Sequence, residues 1–312
     1  MSIDRVATSA QTAYFLSQIQ HAGHALDKTQ ESIASGKNAN TYAGFGDKAQ
    51  VLTATIAAEA RNAAYANATK FAVTQTDIQD TQLTSLSALA SQLKKAVSDA
   101  VVNNDGSTLM NQAQSIFDQA SAILNSKDAN GDYIYGGGKT DIAPVTANSL
   151  AALLAAPSAA STFANGDLKK SIQVGDGVTV DYGIAASDVG LGLMQALRNI
   201  AAFDSGSSFA AGPTLNAAQN TFLTNMIATT GTVAVDINAA SAANGYVAGR
   251  LEDAQTQQAS MKTLYKGFVS NIQDTNMADA ATQLSLNQTQ LQAALQVTAG
   301  LHQLSLLNYL KG

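Results

Sequence analysis

Toward its C-terminus the chain carries Met277, Leu284, Leu291, Thr298 and Ser305 at seven-residue steps, with Ala280, Asn287, Ala294, Leu301 and Asn308 three places after them. Two columns in this relation form a heptad seam on a helix, predicted over 276–308, with Leu295 and Leu304 beside it. No proline interrupts the run. Near the other end Thr12, Ile19, Leu26 and Ile33 keep the same period, with Phe15, Ala22 and Thr29 as companions. The spacing predicts a second amphipathic helix, and the two stripes are expected to pair.

Between them the pattern is mostly helical. Ser35-Gly36 reads as a helix stop. A helix over 49–102 follows almost without a break, with Ile56, Leu83, Leu86, Leu89, Leu93 and Val97 on its apolar faces, although the polar run from Thr74 to Thr84 permits a kink. Asn103-Asn104-Asp105-Gly106 ends it, and a helix over 108–124 returns antiparallel. Asp128 to Asp132 forms a turn, Tyr133 to Tyr135 a short extended piece, and Leu150 to Ala156 a short helix. Ile172 and Val174, then Val178, Val180 and Tyr182, alternate with polar residues around Gly175-Asp176-Gly177, which predicts a hairpin. Helix resumes from Asp188 to Phe203. Pro213 suits the first turn of the next helix, Asn244-Gly245 its end, and a further helix through Leu251 and Ile272 leads to the C-terminal seam. Asn276, with Asp279 three residues on, has the arrangement of a cap for that seam.

The expected fold is therefore mainly α: an elongated helical bundle with long paired N- and C-terminal coiled-coil helices and a small strand-containing insertion. Residues 1–45 and 272–312 supply the terminal helices, 46–135 and 205–271 the two parts of a helical core, and 136–204 the insertion with its hairpin. The terminal seam mixes small and polar residues with its leucines, so an isolated pair would bury little apolar surface and fray. Its residues are then expected to complete their burial against other copies of the same or a related chain. An ordinary bundle with both ends packed on its own body is the alternative.

Composition supports helix packing over a core of large side chains. Of 312 residues 46% are hydrophobic, much of that alanine, while 6% are aromatic and none is Trp. A net charge of -6, with no stretch that clusters Lys or Arg, argues against a nucleic-acid partner. No run is long and apolar enough for membrane insertion, and the polar groups Gln11, Gln18 and His21 near the start argue against a cleaved signal peptide. The absence of cysteine excludes disulfides and thiolate metal sites.

Candidate chemistry is sparse. Gly138-Lys139-Thr140 invites a phosphate-loop reading, but Tyr133 stands where that motif needs glycine, and Pro144 follows where a helix should begin. Asp128, Asn130 and Asp132 alternate like calcium ligands, yet Tyr133 and Lys139 occupy the positions of the required glycine and glutamate. His21 and His24 lie one helical turn apart without a third ligand nearby in sequence, and no Ser, His and acid stand in a recognisable relation. No catalytic, metal or cofactor site is expected, and the chain reads as a non-enzyme.

Several stretches resemble one family. Leu26 to Lys37, with Gln30, Ile33, Ser35, Gly36 and Lys37, is similar to the segment that closes the first helix of bacterial flagellins and their relatives; Gly249-Arg250-Leu251 resembles part of their return helix, and Ile272 to Leu310 their C-terminal segment. Within the family, Asn125 to Val145 and the tail Leu304 to Leu310 resemble the hook-associated branch found at the hook–filament junction, with Tyr135 where that branch usually has Phe. Filament flagellin, major or minor, is the alternative, and an uncharacterised enzyme or secreted binding protein a remote one. The resemblance implies a non-enzymatic flagellar subunit exported largely unfolded without a cleaved signal, extracellular, with 136–204 pointing outward. It implies assembly through terminal residues, for which Phe15, Ile19, Leu26, Ile33, Met277, Leu284, Leu291, Leu295, Leu301 and Leu304 are the candidates. The implied partners are other copies of the chain, the hook-side junction protein, filament flagellin, the export apparatus and an export chaperone that binds the C-terminal segment.

Overall fold

The computed structural model describes the backbone of residues 3–310 and the side chains of 10–300. Helices make up 74% of the chain, which bears out the mainly α class. In order they are α1 (Ile3–Ser35), α2 (Ala49–Val102), α3 (Leu109–Leu124) and α4 (Leu150–Ala155); the strands β1 (Lys170–Gly175) and β2 (Val178–Tyr182) follow, then α5 (Ala186–Gly206), α6 (Ala217–Gln273) and α7 (Met277–Leu310). A 3-10 segment, Tyr42–Lys48, leads into α2. The chain divides into two compact units, a terminal unit of 1–61 with 261–312 and an inner unit of 62–260.

The inner unit holds a continuous core. Leu83, Leu86, Leu93 and Val97 of α2 meet Leu109, Phe117 and Leu124 of α3, Leu193, Met194 and Leu197 of α5, and Leu223, Met226 and Ile237 of α6. Phe203 stacks on Phe222, with ring centroids 4.2 Å apart, and on Phe209. Further along α2 and α6 the contact turns polar. Thr69, Gln75, Thr76, Gln79, Asn244 and Gln258 are buried there, and the run that permitted a kink instead continues as unbroken helix. Several of these polar groups find partners across the helices: Asn244 Nδ2 donates to Thr76 O at 2.8 Å, and Gln258 Nε2 to Thr69 Oγ1 at 2.9 Å and to Val174 O at 2.8 Å, whereas the side-chain oxygens of Gln79 and Gln258 accept no hydrogen bond.

That cross-helix bond also explains why α6 is one helix rather than two. Asn244-Gly245 has the local signal of a stop, but a buried amide held by the facing helix outweighs the weak helix propensity of the pair. The start of α6 is likewise displaced: Pro213 lies ahead of the helix, and Asn216 caps it. Gln219 N donates to Asn216 Oδ1 at 2.9 Å while Asn216 N donates to Gln219 Oε1 at 2.7 Å, a reciprocal capping box.

The predicted hairpin forms, with Ile172 opposite Val180 and an irregularity between Gln173 and Gly175. Val174, Val180 and Tyr182 pack with Ala72 of α2 and Leu251 of α6, and Tyr65 donates from its hydroxyl to Asp176 Oδ1 at 2.8 Å. The strands thus add a third layer to the two long helices where these lack large side chains of their own.

Candidate assembly surface

Within the terminal unit α1 and α7 run antiparallel and in contact. Each is set by its ends. Gly36 has φ +69°, a left-handed conformation that stops α1 at low cost only for glycine. Asn276 caps α7, its Oδ1 accepting from Ala278 N at 3.1 Å. Between these ends lies a polar clasp. Thr275 N donates to Gly36 O at 2.9 Å, Asn38 N to Gln273 O at 2.8 Å, and Asn38 Nδ2 to Ile272 O and Asp274 O at 3.0 and 2.9 Å. Every one of these bonds joins segments more than 230 residues apart in sequence, so periodicity could not have announced them.

The heptad columns face each other as spaced. Ala280 and Asn287 are buried, while Phe15, Ile19, Leu26, Ile33, Leu284 and Leu291 are half-buried. Asn287 Nδ2 donates across the seam to Ala25 O at 3.1 Å and to Thr29 Oγ1 at 2.9 Å. The clasp and this bond fix the register. Of the other candidates, Met277 and Leu295 are 51% and 50% exposed, at the first turn of α7 and beside the seam, and the side chains of Leu301 and Leu304 lie outside the described residues. Tyr14, Leu16, Leu286 and Val297, which the heptad columns omit, are also exposed. Tyr14 and Phe15 meet edge to face, with centroids 5.7 Å apart.

Two helices cannot enclose a stripe of this width. Full burial of a Leu, Ile or Phe side chain is worth roughly 1.5–3 kcal/mol. A row of half-buried ones therefore keeps several kcal/mol in reserve for whatever covers it. The surface is otherwise weakly charged, and hydrophobic association is the chemistry it can perform.

The motifs weighed as chemistry resolve into turns. Asp128 Oδ1 accepts from Asn130 N and Asp132 N, at 2.8 and 3.1 Å. Gly137 has φ +61°, and a Cβ on it would lie 2.2 Å from Gly166 O, so the glycine run serves a tight backbone crossing. A cavity of about 380 Å³ beside this loop is lined by Ile134, Leu168, Lys169, Lys170 and Ser187 among others. It opens near the start of α5, but the first amides of that helix are already engaged, Ala186 N by Tyr135 O and Ser187 N by Asn165 Oδ1. Among the described residues no three His, Asp or Glu side chains gather as metal ligands. Nor is any helix among them long and apolar enough to cross a membrane.

Residues 227–310 match the family described as the bacterial flagellin C-terminal helical region. The chain is 26% identical over 144 residues to flagellar hook-associated protein 3 of Salmonella typhimurium, a match that spans 45% of this chain and 45% of that protein. Among solved structures, a flagellar hook-associated protein from Vibrio parahaemolyticus superposes with a TM-score of 0.57 at 18% identity, covering 72% of this chain and 97% of the other. FlgL of Bacillus cereus gives 0.52 at 14% identity, covering 70% and 98%. Residues 227–310 are thus similar to the bacterial flagellin C-terminal helical region, and the chain shares the fold of these two solved structures.

Proposed function

We propose that this protein is a structural subunit of the bacterial flagellum, the junction protein that links hook to filament, and that it assembles through its terminal helices. The observation that carries this reading is the apolar stripe of α1 and α7, left half-buried by the chain itself. Phe15, Ile19, Leu26 and Ile33 on one helix, with Met277, Leu284, Leu291, Leu295, Leu301 and Leu304 on the other, are the residues that neighbouring subunits cover. Those neighbours are other copies of the chain, a hook-side junction protein and filament flagellin. The subunit is a non-enzyme, reaches the extracellular organelle through the flagellar export apparatus, and meets an export chaperone through its C-terminal segment. The hook-associated relatives in both sequence and fold support the junction over the filament.

The test is a deletion strain. Loss of the gene should leave hooks intact and filament flagellin shed into the medium, and the wild-type gene should restore attached filaments. The variant Leu291→Asp should still be exported yet fail to restore them, because it sets a charge in the stripe that assembly buries. Filament flagellin is the second reading, favoured by the family match over 227–310. It would prevail if the purified protein polymerised alone into long filaments under the electron microscope, or formed the bulk of sheared filaments. Normal assembly by Leu291→Asp would sink the interface assignment under either reading.

A further inference from the structure

Packing alone leaves the register of α1 on α7 poorly determined. At seven-residue steps α7 presents Ala280, Asn287 and Ala294, and α1 presents Phe15, Ala22 and Thr29, with Gly36 just past its end. A slide of one heptad displaces one helix along the other by about 10.5 Å, seven residues at 1.5 Å each. In the slide that brings Ala294 to Phe15 it would again set Ala280 against Thr29, and Leu284 and Leu291 against Leu26 and Ile19, with Phe15 the one large side chain in the small column. Polar groups break this near-degeneracy. Asn287 is nine-tenths buried, and the Thr29 hydroxyl that accepts from it is itself held by Ala25 O at 2.8 Å. After a one-heptad slide Asn287 would face Ala22 or Gly36, neither of which has a hydroxyl, and a buried amide would lose a partner. At the near end the side chain of Asn38 ties the exit of α1 to the entry of α7 through two carbonyls.

We propose that Asn287 and Asn38 are the register-determining residues of the terminal helix pair, acting as two locks of which either suffices. A buried polar residue in an apolar seam selects one alignment by penalising the others. Here it selects where the half-buried stripes of the two helices line up, and so the surface offered for burial. That consequence rests on the assembly reading above; the register itself belongs to the single chain.

The chain contains no cysteine, so introduced pairs report alignment directly. Ala22→Cys with Ala294→Cys samples the layer one heptad from Thr29 and Asn287, and Phe15→Cys with Ala294→Cys samples a slide of one heptad. In the full-length protein, oxidised at high dilution and read on non-reducing gels, the first pair should close and the second should not. Asn38→Ala alone, and Asn287→Leu alone, should keep that pattern. In the double variant the 15–294 cross-link should rise by about tenfold, the factor expected from losing one ordinary hydrogen bond's preference. In the Asn38→Ala background Thr29→Val should release the register in the same way, whereas Thr29→Ser, which keeps the hydroxyl, should not. A double variant that still closes only 22–294 would overturn the proposal, since apolar packing or the main-chain bonds from Thr275 N to Gly36 O and from Asn38 N to Gln273 O would then set the register. One that closes neither pair would overturn it too, since the two residues would be holding the helices together rather than in line. The readout needs no flagellum, so this result and the assembly result stand or fall separately.

Discussion

The two units bury their hydrophobic residues very differently. In the inner unit Leu83, Leu93, Leu193 and Leu197 are wholly enclosed, because α2, α3, α5 and α6 give the core walls on several sides. In the terminal unit, among the described residues, the buried hydrophobic side chains are Leu52 and Ala280, while Tyr14, Leu16, Leu286, Leu295 and Val297 are about half exposed or more. The sequence is no poorer in leucine there; what is missing is a third layer. A two-helix pair covers one side of each stripe, and its stability rests on partial burial plus a few polar bonds, so it is the place where local opening should cost least.

The strongest way to break this comparison is limited proteolysis of the verified monomer. Cleavage should trim roughly 30 to 45 residues from each end and leave a resistant fragment containing residues 62–260, because proteases sample the least stable region first. Equal resistance at both ends would mean that α1 and α7 are as stable alone as the inner core, and the reserve of unburied stripe would lose its meaning.

A matched pair of truncations sharpens the contrast. Leu193→Ala removes a fully buried side chain and should lower the stability of the inner unit by about 2–5 kcal/mol in urea denaturation. Leu291→Ala removes a half-buried one and should change the same transition by less than about 1 kcal/mol. Should Leu291→Ala cost as much as Leu193→Ala, the terminal helices would have to be part of one cooperative core, as in the self-contained bundle.

How much of this was written in the sequence follows the same division. The paired stripes of α1 and α7, the stop at Gly36, the cap at Asn276 and the hairpin around Gly175-Asp176-Gly177 are local signals, and all are legible in periodicity or turn chemistry. The errors fall where a distant partner overrides a local preference. Asn244-Gly245 reads as a helix end, yet Thr76 O, 168 positions away, holds the Asn244 amide inside α6. The polar run beginning at Thr74 reads as a weak point, yet Asn244 and Asp128 satisfy Thr76 and Gln75. Asn216 and Gln219 have the spacing of a capping box, a legible signal that Pro213 eclipsed. At the candidate surface, heptad spacing pointed to the half-buried Leu284 and Leu291, but it carries no information about the Asn38 clasp, and Leu295 lies outside the columns that it defines.

The smallest effect tests how completely the inner unit is closed. Tyr135 has no exposed surface, and its hydroxyl has no hydrogen-bond partner, so burial pushes the phenol well above the ordinary tyrosine range. Phe would fill the same space without the unpaired oxygen. Tyr135→Phe should therefore stabilise the protein by about 1 kcal/mol at neutral pH, the lower end of the cost of a buried unsatisfied hydroxyl. It should also change the alkaline behaviour. Below about pH 10 the tyrosine is protonated in both folded and unfolded chains and pH has no leverage. Above it the unfolded chain loses the proton while the folded one keeps it, so stability falls as pH rises toward the raised folded value. Tyr182, also pushed up by burial and then by the charge of Asp128, is common to both proteins and cancels in the difference. Thermal melts from pH 8 to 11 should then show the advantage of Tyr135→Phe widening only above pH 10. A variant less stable than the parent at neutral pH, with an unchanged alkaline slope, would show that the phenol has a buried partner such as an ordered water, and that the inner unit is less tightly closed than its packing indicates.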